Sequence, residues 1–185
     1  WMSLTLAFFV LAERYPGRRR LFLVLMYVAM GLGALTKGPI AIFFPVLACG
    51  IWLTVERRWR DARRLMLVPG LAIVLAIVAP WYIALVMAHG WAPVTSFFVG
   101  ENLDRFTTSM QPDNRPFWFY LPVLFGDLFP WAPLFLVPLV TGWRQAPAGA
   151  PDTRDAIRRL LWIWVVAIVV TFSFSKTKQD LYIFP

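Results

Sequence analysis

The chain has 185 residues, 59% hydrophobic and 17% aromatic against 15% charged, and eighteen Lys and Arg against ten Asp and Glu give it a formal net charge of +8. So little polar side chain cannot cover the outside of a water-soluble domain. The charge is not a nucleic-acid footprint either, because the arginines cluster in short connections between apolar runs and not on one face of a soluble element.

The apolar runs, roughly 16 to 25 residues each, approach the ~20 that cross a bilayer as helix. The expected fold is therefore all-α: a polytopic transmembrane helical bundle, 1–185 being part of one transmembrane domain, with about six spans of a larger membrane protein. In chain order the spans are expected at about 2–12, 21–36, 39–55, 65–88, 117–141 and 160–175, with an outer loop over 89–116. Both ends look cut: Trp1 stands where a Met would start a chain, and Tyr182-Ile183-Phe184-Pro185 ends without a tail, so no signal peptide can be read. Cys49 stands alone inside an apolar run and reads as packing. His89, the sole histidine, sits at the outer end of a span and reads as interfacial.

The connections 13–20, 56–64 and 144–159 hold thirteen of the eighteen basic residues, all arginine, and short basic loops stay in the cytoplasm. The turn near 37–38, the loop 89–116 and the C-terminal stretch are then outside. Lys37, Arg105, Arg115, Lys176 and Lys178 fall on that outer side, where the topology rule gives no reason for them. Some of them can be ion pairs with Glu101, Asp104, Asp113 and Asp180 at the headgroup level. The functional reading is a cationic pocket at the outer membrane surface, where charge-assisted hydrogen bonds from Lys and Arg replace the hydration of a phosphate.

Taken in order, Leu35-Thr36-Lys37-Gly38-Pro39 turns the chain between two spans and holds an ammonium at the interface, where lysines commonly snorkel to water. In the outer loop, a helical turn would set Glu101 and Arg105 on one face as an i,i+4 pair, or leave Arg105 to face an anionic ligand while Glu101 orients it or holds a metal. Arg115-Pro116-Phe117-Trp118-Phe119-Tyr120 is an aromatic belt opening a proline-rich span that contains Asp127, and an intramembrane carboxylate is costly enough to be a functional candidate. After Phe172-Ser173-Phe174-Ser175, an extended or turn geometry would point Lys176 and Lys178 the same way as a pair of interfacial cations. Two such ammonium groups repel unless an anion lies between them.

These segments together resemble the lipid-linked-sugar glycosyltransferases of the GT-C superfamily, in particular the aminoarabinose transferase and protein mannosyltransferase-like families. The residues that carry the resemblance are Leu35 to Pro39, Phe98 to Phe106, Pro116 to Pro122 leading into Pro130-Trp131, and Phe172 to Pro185, whose Ser-Lys-Thr-Lys followed by Tyr-Ile-x-Pro is the most specific part. The resemblance implies a bacterial inner-membrane enzyme with its active site facing the periplasm. Sugar would move from a polyprenyl-phosphate carrier to a lipid, glycan or protein acceptor. Lys37, Arg105, Lys176, Lys178 and Tyr182 would bind the donor phosphate, with Glu101, Asn102 and Asp127 in support, and the catalytic carboxylate would lie in a loop this chain does not contain. No nucleic acid is expected as partner. No cofactor is required with certainty, and a divalent metal stays open, because Asn102 stands where aminoarabinose transferases tend to have a histidine linked to a metal near the site. A secondary transporter or flippase for an anionic lipid-linked substrate and a noncatalytic membrane scaffold are the rival readings. Transporters keep ionisable groups at helix breaks near the midplane, whereas these cations sit at the outer ends of spans.

Overall fold

The computed structural model describes residues 1–104, 107, 115–127, 153–176 and 178; of Glu101, Asn102, Leu103, Asp127, Thr153 and Arg154 it describes the backbone alone. Among the described residues every regular element is helical: α1 Met2–Arg14, α2 Arg19–Lys37, α3 Ile40–Val55, α4 Leu67–His89, α5 Ala92–Thr95, α6 Tyr120–Asp127 and α7 Thr153–Phe174. Without water in a bilayer to satisfy backbone N–H and C=O groups, such apolar chain closes its hydrogen bonds within each helix. Segments Pro16–Lys37, Leu67–His89 and Asp155–Phe174 are long and apolar enough to cross a membrane, and Ile40–Val55 is a shorter apolar helix. The protein is thus a helical membrane protein. Of the expected span 117–141, Phe117–Phe119 forms a single 3-10 turn leading into α6, and the stretch beyond Asp127 lies outside the described residues.

The turn between α2 and α3 is tight because Gly38 sits at φ 71°, ψ −154°, a conformation that a Cβ would strain, while Pro39 presets φ for the start of α3. This folds α3 back against α2. Gly33 allows the close approach there, since a Cβ on it would touch both Trp1 and Ala41. The arginine-rich connections are not simple loops: Pro16–Arg18 and Trp59–Leu65 are both 3-10 helical, and Arg57 and Met66 take left-handed backbone at φ 55° and 54°. Helix α4 then runs parallel to α2. Tyr27 fills the space a Cβ on Gly70 would need and donates its hydroxyl to the Leu65 carbonyl at 2.8 Å, and Ile77 lies against Gly31 further along the same pair.

Helix α7 packs antiparallel on α3. Phe44 contacts Phe172 at 5.3 Å and Trp164 at 6.5 Å between ring centres, and toward the other end Trp52 donates its indole N–H to the Ala156 carbonyl at 2.8 Å. Phe9 of α1 meets Trp52 edge-on at 5.5 Å, so the core sits between α1, α2, α3 and α7. Of the outer stretch 89–116, expected as a loop, the part up to Asp104 is helical: after Gly90 at φ 74° come α5 and then a π-helical run, Ser96–Asp104. Its wider turn bonds i to i+5, and Arg105, the i,i+4 partner expected for Glu101, lies outside the described residues. Tyr82 of α4 stacks on Phe98 at 5.5 Å and holds the run against the end of α4.

Candidate functional site

The two ends of the bundle carry different chemistry. At the arginine end, Glu13 receives Arg19 at 2.9 Å and Arg58 at 2.7 Å, Asp61 receives Arg58 at 2.7 Å, and Glu56 takes both Nε (2.5 Å) and Nη2 (3.1 Å) of Arg159. Arg58 also lies 5.0 Å over the Trp52 ring. Partial burial alone would lower the Arg58 pKa, yet hydrogen bonds and attraction from Asp61 and Glu13 outweigh it and raise the value above the ordinary one. These ion pairs tie α1, α2, α3 and α7 together.

The opposite end collects the Lys37-Gly38-Pro39 turn and the C-terminus of α7, because Phe44, one turn into α3, contacts Phe172 in the last turn of α7. Here the Lys178 side chain is not at the water interface as expected; the residue is only 5% exposed. Its ammonium donates to the Ser175 carbonyl at 2.7 Å, and among the described residues no carboxylate lies within ion-pair distance of it. An ammonium has three donors. One meets a neutral acceptor, and burying such a charge costs several kcal/mol unless an anion answers it.

Arg115 closes this arrangement. Its Nη1 donates to the Lys178 carbonyl at 3.0 Å and its guanidinium lies 4.4 Å over the Phe119 ring. Phe117 packs on Phe174 at 5.2 Å, and the fully buried Tyr120 lies 6.5 Å from Phe172, so the aromatic segment 117–120 clamps the end of α7 and orients Arg115. Arg115 is among the five outer-side cations, but the family motifs did not include it among the donor-phosphate residues. Its signal was an outer-side basic residue opening an aromatic run, but the partner is 63 residues away.

The other expected site residues are placed as follows. Lys176 is exposed and does not share the surroundings of Lys178, so the two are not the parallel pair expected from their spacing. Lys37 is exposed at the end of α2, beside a cavity of about 60 Å³ lined by Trp1, Met2, Gly33, Thr36 and Ala41. Glu101 and Asn102 lie in the π-helical run, and Asp127 ends α6. Arg105 and Tyr182 lie outside the described residues. Among the described residues no three His, Cys, Asp or Glu side chains gather as metal ligands.

A crystal structure of ArnT from Cupriavidus metallidurans bound to undecaprenyl phosphate superposes with a TM-score of 0.81 over 98% of this chain and 32% of that one, at 34% identity. The sequence model of the dolichyl-phosphate-mannose-protein mannosyltransferase family matches residues 1–92. The chain belongs to the GT-C glycosyltransferase superfamily. Within it, the chain is 35% identical to the undecaprenyl phosphate-α-4-amino-4-deoxy-L-arabinose arabinosyl transferase of Pectobacterium carotovorum and 32% identical to that of Edwardsiella ictaluri, in each case across its whole length and 32% of the relative. The chain therefore spans about a third of the length of the curated relatives it matches.

Proposed function

We propose that the protein is a membrane glycosyltransferase that moves a sugar from an undecaprenyl-phosphate carrier to a lipid, glycan or protein hydroxyl at the periplasmic face of the bacterial inner membrane. The observation that carries this reading is the buried Lys178 ammonium, which among the described residues has a carbonyl but no carboxylate for company beyond the end of α7. The relatives whose names specify a polyprenyl-phosphate donor, and the related structure with undecaprenyl phosphate bound, support that choice of anion.

In the reaction the acceptor oxygen bonds to the anomeric carbon, the bond from that carbon to the phosphate oxygen breaks, and undecaprenyl phosphate leaves with the electron pair. The acceptor proton passes to a carboxylate supplied from outside these residues. Lys178 stabilises the charge that develops on the leaving phosphate, an effect commonly worth a few kcal/mol per donor. Arg115 is a positioning residue: it holds the Lys178 backbone through the 3.0 Å bond. Lys37, Lys176, Arg105 and Tyr182 extend the donor-phosphate site, and Glu101, Asn102 and Asp127 support it. Chain 1–185 forms part of one transmembrane domain, with the arginine end cytoplasmic.

The deciding experiment supplies the protein with radiolabelled undecaprenyl phosphate-4-amino-4-deoxy-L-arabinose, or other undecaprenyl-phosphate sugars, and membrane extract. Label should pass to an acceptor as undecaprenyl phosphate is released; no transfer from any such donor would sink the proposal. For orientation, a cysteine at Ser109 should react with a membrane-impermeant thiol reagent in intact cells and one at Ala62 should not. The reverse pattern would invert the topology.

A further inference from the structure

At the arginine end, the 3-10 turn Pro16–Arg18, the start of α2 and the 3-10 connection into α4 border an open cavity of about 600 Å³ whose charged lining is Arg18, Arg19, Arg20, Arg63 and Arg64. The positive-inside rule accounts for arginines on this side of the membrane, but not for their convergence on a cavity. Six arginines, these five and Arg58, share two carboxylates here. Glu13 answers Arg19 and Arg58, and Asp61 is held by Arg58 at 2.7 Å with Arg64 only at 3.9 Å. Arg18, Arg20 and Arg63 have no ion pair among the described residues. Arg19 is taken up by Glu13, whose carboxylate lies 2.9 Å from Nη2. Guanidinium forks without a carboxylate partner are ready donors to an anion.

The start of α2 points the same way, with no acidic residue in its first turn and no side-chain cap, so the positive end of its dipole is not answered from within the chain. The remaining lining is apolar: Leu21, Leu23 and Met66. Directly beyond Met66, helix α4 presents Leu67, Val68, Leu71 and Leu75, all exposed, as a bare apolar flank. An occupant matched to both features has a phosphate at one end and hydrocarbon at the other.

We propose that this cavity is a binding site for the phosphate headgroup of an anionic glycerophospholipid in the leaflet on the arginine side, with its acyl chains lying along the first turns of α4. The site is separate from the Lys178 end: α2, which starts in the cavity and ends at Lys37, is 19 residues long, about 28 Å of helix. The fork geometry of the guanidinium suits phosphate oxygens, and juxtamembrane arginine clusters of this kind draw anionic lipids.

The test is native mass spectrometry of the detergent-purified protein with added phosphatidylglycerol, phosphatidylcholine or inorganic phosphate, read alongside thermal unfolding. Phosphatidylglycerol should remain bound and raise the unfolding temperature, and the paired substitution Arg63→Gln/Arg64→Gln should weaken its binding about tenfold or more. Arg63→Lys/Arg64→Lys keeps the net charge, so it reads the fork and not the bulk field; its binding should also fall. Arg14→Gln, which removes a charge at the same end outside the cavity, should stay within about twofold of wild type. Equal loss in Arg14→Gln, full retention in the double lysine variant, equal retention of phosphatidylcholine, or protection by inorganic phosphate as strong as by lipid at the same concentration would each overturn the lipid site. Variant folding is checked by unfolding in phosphatidylcholine micelles, where the double variants should match wild type; if the glutamine pair does not, the lysine pair decides.

Discussion

The Glu56 side chain, 6% exposed, and the buried Lys178 are charges at opposite ends of the antiparallel α3 and α7 pair, and they are answered differently. Glu56 has a two-pronged partner in Arg159, made within the chain and complete. Lys178 has one carbonyl from its own turn. Among the described residues, charge is paired within the chain at one end and answered by a carbonyl alone at the other, and the proposed function takes the second as ligand-binding charge. The arginine cavity shows that the separation is not absolute, since five arginines there exceed their carboxylate partners, but the Glu13 and Glu56 pairs at the same end join helices together.

The largest expected effect tests that division directly. Lys178→Met keeps the length and apolar stem of the side chain while removing the charge, so the protein should unfold at the same temperature or slightly higher, as when a buried charge gives way to a hydrophobic group. Turnover should fall about 100-fold or more, mainly in kcat, as expected on losing a donor that grips developing charge. Normal turnover with lowered stability would make Lys178 structural and erase the contrast. Next in size, Glu56→Ala leaves the half-exposed Arg159 without its carboxylate. Unfolding free energy should drop by about 1–2 kcal/mol while kcat and KM for the donor stay unchanged. A large loss of kcat without loss of stability would mean the arginine end takes part in chemistry. The smallest effect is Lys176→Ala, because that ammonium is exposed: stability should move by under about 0.5 kcal/mol. A loss of turnover equal to that of Lys178→Met would restore the two lysines to equal standing in the site.

The helical class was legible because a run such as 67–89 carries almost no polar side chain and a bilayer admits few backbone solutions. The tight turn after Lys37 was legible from Gly38-Pro39 for the same local reason. The helical continuation from Ala92 through Asp104 was not, since its aromatics and glycine fit a loop equally well and its packing on Tyr82 is a tertiary contact. The bareness of α4 was hidden too. Its composition matches a buried helix, yet 6% of its apolar window is buried against 44% for the corresponding window of α2, because α2 is wedged between α1, α3 and α4 while α4 rests on α2.

At the candidate site, the motif after α7 singled out Lys178 as a candidate, and the arginine count set the expected topology, because residue type and local spacing are properties of the chain alone. Which of Lys176 and Lys178 turns inward, that Arg115 reaches across 63 residues to hold the Lys178 backbone, and that five arginines from two separate connections border one cavity were decided by tertiary structure. Burial and long-range hydrogen bonds depend on how helices lie against one another, and single-sequence periodicity records which face is apolar without recording what that face will meet.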